Sequence, residues 1–199
     1  FLYGGAQHDV ILGSEGNDRL FGDAGNDRLE GGEGADNASG GEGADTIIGE
    51  GGADRIYGDA GSDLLDGGEG DDFIYGGLDR DTMEGGAGLD RLYGDADNDL
   101  LNGGDGNDFV YGGDGNDTVM GGAGDDRLYG DAGSDRIDAG GGTDQAWGGA
   151  NADVFVFGTS QTQLAIRDFS IAEDRIEFAI RDGIGSLAEL LAAARVVNF

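Results

Sequence analysis

Seventeen aspartates stand nine residues apart without a slip: Asp9, Asp18, Asp27, Asp36, Asp45, Asp54, Asp63, Asp72, Asp81, Asp90, Asp99, Asp108, Asp117, Asp126, Asp135, Asp144 and Asp153. Carboxylates can accept backbone N–H groups in turns or work as an acid–base pair on a glycosidic bond. They can also collect hard divalent cations, which prefer carboxylate and carbonyl oxygens. A strict period weighs against a single reaction centre, because it makes every copy equivalent. Turn capping is the plain alternative to cation binding.

The element that carries each aspartate is a nine-residue unit, repeated seventeen times from Gly4 to Val156 with no insertion. Asp is always sixth and an apolar residue always eighth. The first position is Gly except at Ala139, and the fourth is Gly except at Gln7, Asp79, Asp97 and Asn151. Six residues of turn chemistry thus precede three of strand chemistry. In the triplet the middle side chain points inward. A three-residue strand is not stable alone but can stack on copies of itself. Two units per coil give 18-residue turns with one short strand on each side, a parallel all-β roll of eight and a half turns, roughly 40 Å long at the strand spacing. The units also recur in fours, since Gly22-Asp23-Ala24, Gly58-Asp59-Ala60, Gly94-Asp95-Ala96 and Gly130-Asp131-Ala132 lie 36 residues apart. Phe1-Leu2-Tyr3 reads as the end of a preceding unit, so the chain is expected to continue upstream.

The predicted core is one column per sheet: Leu2, Leu20, Ala38, Ile56, Ile74, Leu92, Val110, Leu128 and Ala146 on one side, and Ile11, Leu29, Ile47, Leu65, Met83, Leu101, Val119, Ile137 and Phe155 on the other. One buried side chain contributes about 2 kcal/mol, less than the backbone entropy of the nine residues it must order. Another stabiliser is required. On each edge of the roll the sixth-position carboxylates recur at about the 4.8 Å strand spacing, a repulsion that a Ca²⁺ between successive loops reverses.

Gly112-Gly113-Asp114-Gly115-Asn116-Asp117-Thr118-Val119-Met120 resembles the nonapeptide of the RTX (repeats-in-toxin) calcium-binding family, and the likeness covers 4–156. The resemblance implies a right-handed parallel β-roll with each Ca²⁺ between loops 18 residues apart. It implies ligands from the carbonyls of positions two and four and the Asp of one loop, with the carbonyls of positions one and three and the Asp of the next. One such site would use Gly104, Gly106 and Asp108 with Gly121, Ala123 and Asp126. The turns at Gln7, Asp79, Asp97 and Asn151 are expected to be strained. Nine loops on one edge make eight gaps and eight on the other make seven, so about fifteen ions are expected, carrying +30 against a formal charge of −31.

Beyond Val156 the period stops. Asp153–Gly158, Ile166–Phe169 and Asp174–Phe178 read as strands, and Ser186-Leu187-Ala188-Glu189 as the capping box of a short helix over 186–195. They resemble the segment that closes RTX rolls, so the chain divides into a roll, 1–156, and a cap, 157–199, expected to be truncated at its end.

Much chemistry is excluded. His8 is the only histidine and sits at a variable turn position, so no His-based zinc site or triad can form. All eleven basic residues are Arg, which removes the lysine of a P-loop or a Schiff base. The EF-hand reading of the Asp–Gly–Asn–Asp strings lacks the twelfth-position Glu and the flanking helices. With 42 acidic residues the chain is unsuited to nucleic acid or to anionic membranes. Pro and Cys are absent, and neither an apolar membrane span nor a signal peptide is expected from these residues.

The chain is therefore expected to be no enzyme but the calcium-binding RTX module of a secreted or cell-surface protein. Such a module folds on Ca²⁺ after passage through a type I secretion machinery. The alternative is a repeat or ligand-binding region of a calcium-dependent adhesin or surface-layer protein. An ice-binding array is disfavoured by irregular outward loop residues. The outward column Tyr3, Phe21, Ser39, Tyr57, Tyr75, Tyr93, Tyr111, Tyr129 and Trp147 lies beside one rich in Arg and Phe. It reads either as a ladder that stiffens the sheet or as a docking face for another domain, a second copy or a glycan.

Overall fold

A computed structural model describes residues 1–158 and 163–178. Among the described residues twenty strands form two ten-stranded sheets, and consecutive strands alternate between them. Sheet 1 starts with Leu2–Gly5, Arg19–Ala24 and Asn37–Glu42. Sheet 2 starts with Val10–Glu15, Arg28–Glu33 and Thr46–Gly51. All pairings are parallel, and through the repeats the register advances by 18 residues, as where Leu92 lies between Ile74 and Val110. The architecture is an all-β parallel solenoid of about ten turns. Among the described residues there is no helix; the helix expected over 186–195 lies outside them.

The strands are longer than the three residues expected. Arg91–Ala96 is typical, running through positions seven to nine and on through one to three. The first position drops out of the register, and Asp95 and Ala96 pair with Gly113 and Asp114. The turn half of each unit thus also forms a ladder with its copies, and fourth-position N–H groups donate to third-position carbonyls of the next coil, as from Gly115 to Ala132 at 2.8 Å.

The two core columns sit where the alternation puts them. From Leu20 to Phe155 every eighth-position side chain is buried, and Leu2 at the first rung is half-buried. The period ends at Val156 but the stacking does not. Gln163–Ile166 adds a tenth strand to sheet 1 and Arg175–Phe178 one to sheet 2. The former differs from the expected Ile166–Phe169: Arg167 and Asp168 leave the sheet, and Phe169 packs across the end of the core against Phe155, ring centroids 6.1 Å apart.

Each core column is one residue wide, so a deleted side chain has no neighbour to collapse into the space. Leu92→Ala is expected to cost about 2–5 kcal/mol, read as a lower midpoint in denaturant melts of the ion-loaded chain. A change under 1 kcal/mol, about one CH₂ of burial, would contradict the single-column core.

Candidate metal centre

Each unit brings its sixth-position Asp to the edge of the coil just before a strand. Asp9, Asp27 and their successors through Asp153 line the edge entering sheet 2, and Asp18 through Asp144 line the other. From Asp27 onward these side chains are buried. Each backbone N–H donates to the carboxylate of the next coil, as from Asp90 to Asp108 Oδ1 and from Asp108 to Asp126 Oδ1, both 2.9 Å. Fifteen such bonds, 2.7–3.0 Å long, run through the repeats, one per interior gap.

That bond satisfies one oxygen. The other, Oδ2, is buried with no hydrogen-bond partner at every Asp from Asp27 to Asp153 except Asp144. Buried polar atoms are rarely left so, and here fourteen are. What surrounds them is more oxygen. The carbonyls of Gly104 and Gly106 face the next coil at Gly122 and Gly124, and the carbonyl of Gly121 faces back to Gly103. Asp108 Oδ2 lies against the same Gly103, so that a Cβ built there would come within 2.6 Å of both oxygens. Ala123 lies opposite Asp105 in the register, and third-position carbonyls point back to the preceding loop, as Gly141 O does to Gly124 N. The residues singled out by resemblance therefore converge on one gap, held by two carboxylates and a set of carbonyls. Among the described residues no three acidic or histidine side chains cluster as a side-chain metal site, because most of the oxygens come from the backbone. An orphaned carboxylate oxygen in a gap lined with acceptors fits a hard cation.

Nine overlapping stretches that together cover residues 3–155 match the family described as RTX calcium-binding nonapeptide repeat (4 copies). The chain belongs to that family. It is an RTX calcium-binding repeat module folded as a parallel β-roll. No curated protein matches the chain. Among the described residues no helix is long and apolar enough to cross a membrane.

The backbone of the RTX module shows why its turns need their residues. The second position has positive φ in all seventeen units, occupied by Asp at 23, 59, 95 and 131, where φ is 70–74°. At the fourth position Asp79, Asp97 and Asn151 take φ of 72°, 75° and 79°, the strained geometry expected there, whereas Gln7 is spared it. Ala139 is the one side chain at position one, and the preceding strand, Arg136–Asp138, stops after three residues. Its aspartate, Asp144, is also the one without an orphaned oxygen past Asp27.

Two features were missed in the sequence. Asp174 accepts from Asp153 N–H at 3.1 Å and so extends the ladder one rung beyond the repeats. Its signal is Asp174-Arg175-Ile176-Glu177, the order of positions six to nine, set 21 rather than 18 residues on. A second ladder runs along position five, where Asn26 Oδ1 accepts from Ala44 N–H and Asn116 Oδ1 from Ser134 N–H. His8 belongs to it: its Nδ1 accepts from Asn26 N–H in the open.

Burial pushes most ladder carboxylates from Asp45 to Asp153 up from their usual range. The bond from the preceding N–H partly offsets this, and neighbouring carboxylates add to it. Asp63 reaches about 8, Asp90, Asp99, Asp126 and Asp135 about 7, and Asp54, Asp72, Asp81, Asp108 and Asp153 about 6. The metal-free roll therefore holds protons that the unfolded chain has already released. Its stability is full below the unfolded value near 3.8 and is lost as pH rises through 6 to 8. In excess chelator the β signal in circular dichroism is expected to grow as pH is lowered from about 8 to about 5; growth in the opposite direction would refute this assignment.

Asp108 is bonded on both sides, to the loops of Asp90 and Asp126. Asp108→Ala is expected to disturb both adjoining gaps and remove two ions from the calorimetric stoichiometry. A loss of none would rule out shared ligands.

Proposed function

We propose that this chain is the calcium-triggered folding module of an exported protein. The observation that carries the reading is the row of fourteen buried carboxylate oxygens with no donor, in gaps otherwise lined with carbonyls. A formal charge of −31 supports it, since a chain so acidic with so thin a core stays disordered until its charge is neutralised. In each gap the carbonyls of positions two and four and the Asp of one loop, with those of positions one and three and the Asp of the next, would hold the ion. Gly104, Gly106, Asp108, Gly121, Ala123 and Asp126 are one such set. The ion supplies the positive charge that these acceptors lack. About fifteen sites and the family's right-handed winding belong to the same reading.

Export follows from the physics of conditional folding. Extracellular calcium modules bind near 10⁻⁴–10⁻³ M, about the level outside cells and far above that of cytosol. A chain that folds only there stays threadable until it has crossed, which suits a one-step type I exporter and places the protein outside the cell or at its surface. The absence of Pro and Cys agrees, leaving no slow isomerisation or disulfide step to folding. Residues 157–199 would cap the roll, and any catalytic activity would belong to other parts of the protein.

Titrating Ca²⁺ into chelated protein at neutral pH is expected to convert a disordered far-UV spectrum to a β spectrum, cooperatively, with a midpoint of about 10⁻⁴–10⁻³ M. A full β spectrum in excess chelator at neutral pH, or no change with Ca²⁺, would sink the proposal.

A further inference from the structure

The strands of sheet 1 are of two alternating kinds on their outward face. Arg55, Tyr57 and Asp59 mark one, as do Arg91, Tyr93 and Asp95 two rungs on. On the strands between and after them the same positions hold Phe73, Tyr75 and Gly77, then Phe109, Tyr111 and Gly113. The face thus carries a column with Arg on alternate rungs, an aromatic ladder, and a column with Asp on those same rungs. The first four-unit block supplies Arg19 and Asp23, the last Arg127 and Asp131. Asp23, Asp59, Asp95 and Asp131 are all exposed, and Ser39 Oγ donates to Asp59 Oδ2, which puts that carboxylate beside the ladder. Around Tyr75 the two charges are felt from both columns, Asp95 raising the phenol and Arg55 opposing it, beneath the larger effect of burial.

These arginines are held but not neutralised. Arg91 lies over the rings of Phe73 and Phe109 at 4.9 and 5.3 Å, and Arg19, Arg55 and Arg127 are placed likewise. The ion pairs among the described residues are Arg28–Glu30 and Arg136–Glu177, both on the other sheet. In a chain this acidic, four unpaired arginines in one column beside four exposed aspartates form a matched, unsatisfied pair of stripes.

We propose that this face binds a second copy of the chain, face to face, about a two-fold axis parallel to the stacking direction. Such an axis reverses the left-to-right order of the columns and keeps each rung level. Arg91 then meets Asp95 of the second copy, and Phe73 meets Gly77 of the second copy, so charge faces opposite charge on one kind of rung and a ring faces a glycine on the other. A two-fold across the columns would set Arg against Arg. The contact is isologous and closed. The face is flat enough to be used over its whole length: from Tyr57 to Trp147 successive rings stack at 4.5–5.1 Å with interplanar angles of 4–8°. Nine rungs at strand spacing by a width of about 20 Å give roughly 800 Å² per partner, that of a stable interface. The same stacking disfavours a glycan, because the ring faces a sugar would lie on are already covered by their neighbours.

The proposal rests on the ion-loaded roll, so the test is made in saturating Ca²⁺ with far-UV spectra taken on the same samples. Sedimentation equilibrium is expected to show a dimer with a dissociation constant of roughly micromolar or tighter. The triple change Asp59→Asn, Asp95→Asn and Asp131→Asn keeps a residue suited to the left-handed backbone there and is expected to weaken association at least about tenfold with the β signal intact. Ser39 lies in the column along which the axis runs, facing its own copy, and the chain has no cysteine. Ser39→Cys is therefore expected to be joined to its copy by a bifunctional thiol reagent that spans the gap between packed sheets, about 10 Å or somewhat more, whereas Asn102→Cys, on the other sheet, is not. A folded monomer, a dimer indifferent to the aspartate change, or Ser39→Cys cross-linking no better than Asn102→Cys overturns the dimer alone. A chain without β signal in calcium overturns both the dimer and the calcium reading.

Discussion

Successive carboxylates along each edge sit one coil apart, and from Asp27 to Asp153, Asp144 apart, each has one oxygen bonded to the N–H of the loop before and the other bare. Like charges that close repel strongly once water is excluded, and an unpaired buried charge is among the costliest things a fold can carry. No local rearrangement relieves it. The atoms that could approach Oδ2 are carbonyl oxygens, because the turn spends its N–H groups on the coil-to-coil ladder. Only a cation or a proton can make the gap neutral. The raised carboxylates of Asp63 and Asp90 are the proton's version of that answer, and the carbonyl-lined gap is the ion's. On the proposed reading, the fold is conditional on that neutralisation.

The two leading glycine positions answer to different demands. At position two the need is a left-handed backbone, and Ser14, Glu50 and four aspartates meet it at moderate cost. At position one the need is room. Asp108 Oδ2 and the Gly121 carbonyl press on the same Cα of Gly103, and a methyl would displace the oxygens that define the gap. Ala139 is the one position where a methyl is accommodated, and the strand before it, Arg136–Asp138, ends after three residues. Tolerance at one position and near-uniformity at the other follow from strain in the first case and exclusion in the second.

Much of this was legible because each feature is written at a single strict position. Apolar residues at position eight gave both core columns and the 18-residue register, and Asp at position six gave the edge ladders. Strand length was hidden, because the Gly, Asp, Glu and Ala of positions one to three have little β preference; they pair because identical loops stack. Asp174 was hidden by a three-residue change of spacing, although its local order matches the repeat. The Asn ladder at position five was passed over as variable surface, since Asn26 and Asn116 act only through the neighbouring coils. What sequence reading lacked in each case was contact between copies.

Inside and outside are coupled by one distance. The rings from Tyr57 to Trp147 stack at the same interval that the carboxylates must share. Such stacking adds to burial only where rings stay close and offset, which a flat, evenly spaced sheet provides. The run is broken at one rung, where Asn37, Ala38 and Ser39 supply neither a ring nor a full-sized core residue. Tyr3 and Phe21 stack with each other below it but not through it. Since a solenoid's stability is near to a sum of rung and neighbour terms, this is the weak joint of the roll. The rungs above it are tied on the face by aromatics and at both edges by the carboxylate ladder, so on the proposed reading the edge charges are settled before the face orders. On the proposed reading, the flat Tyr and Arg surface therefore belongs to the chain with its gaps filled rather than to the chain at large.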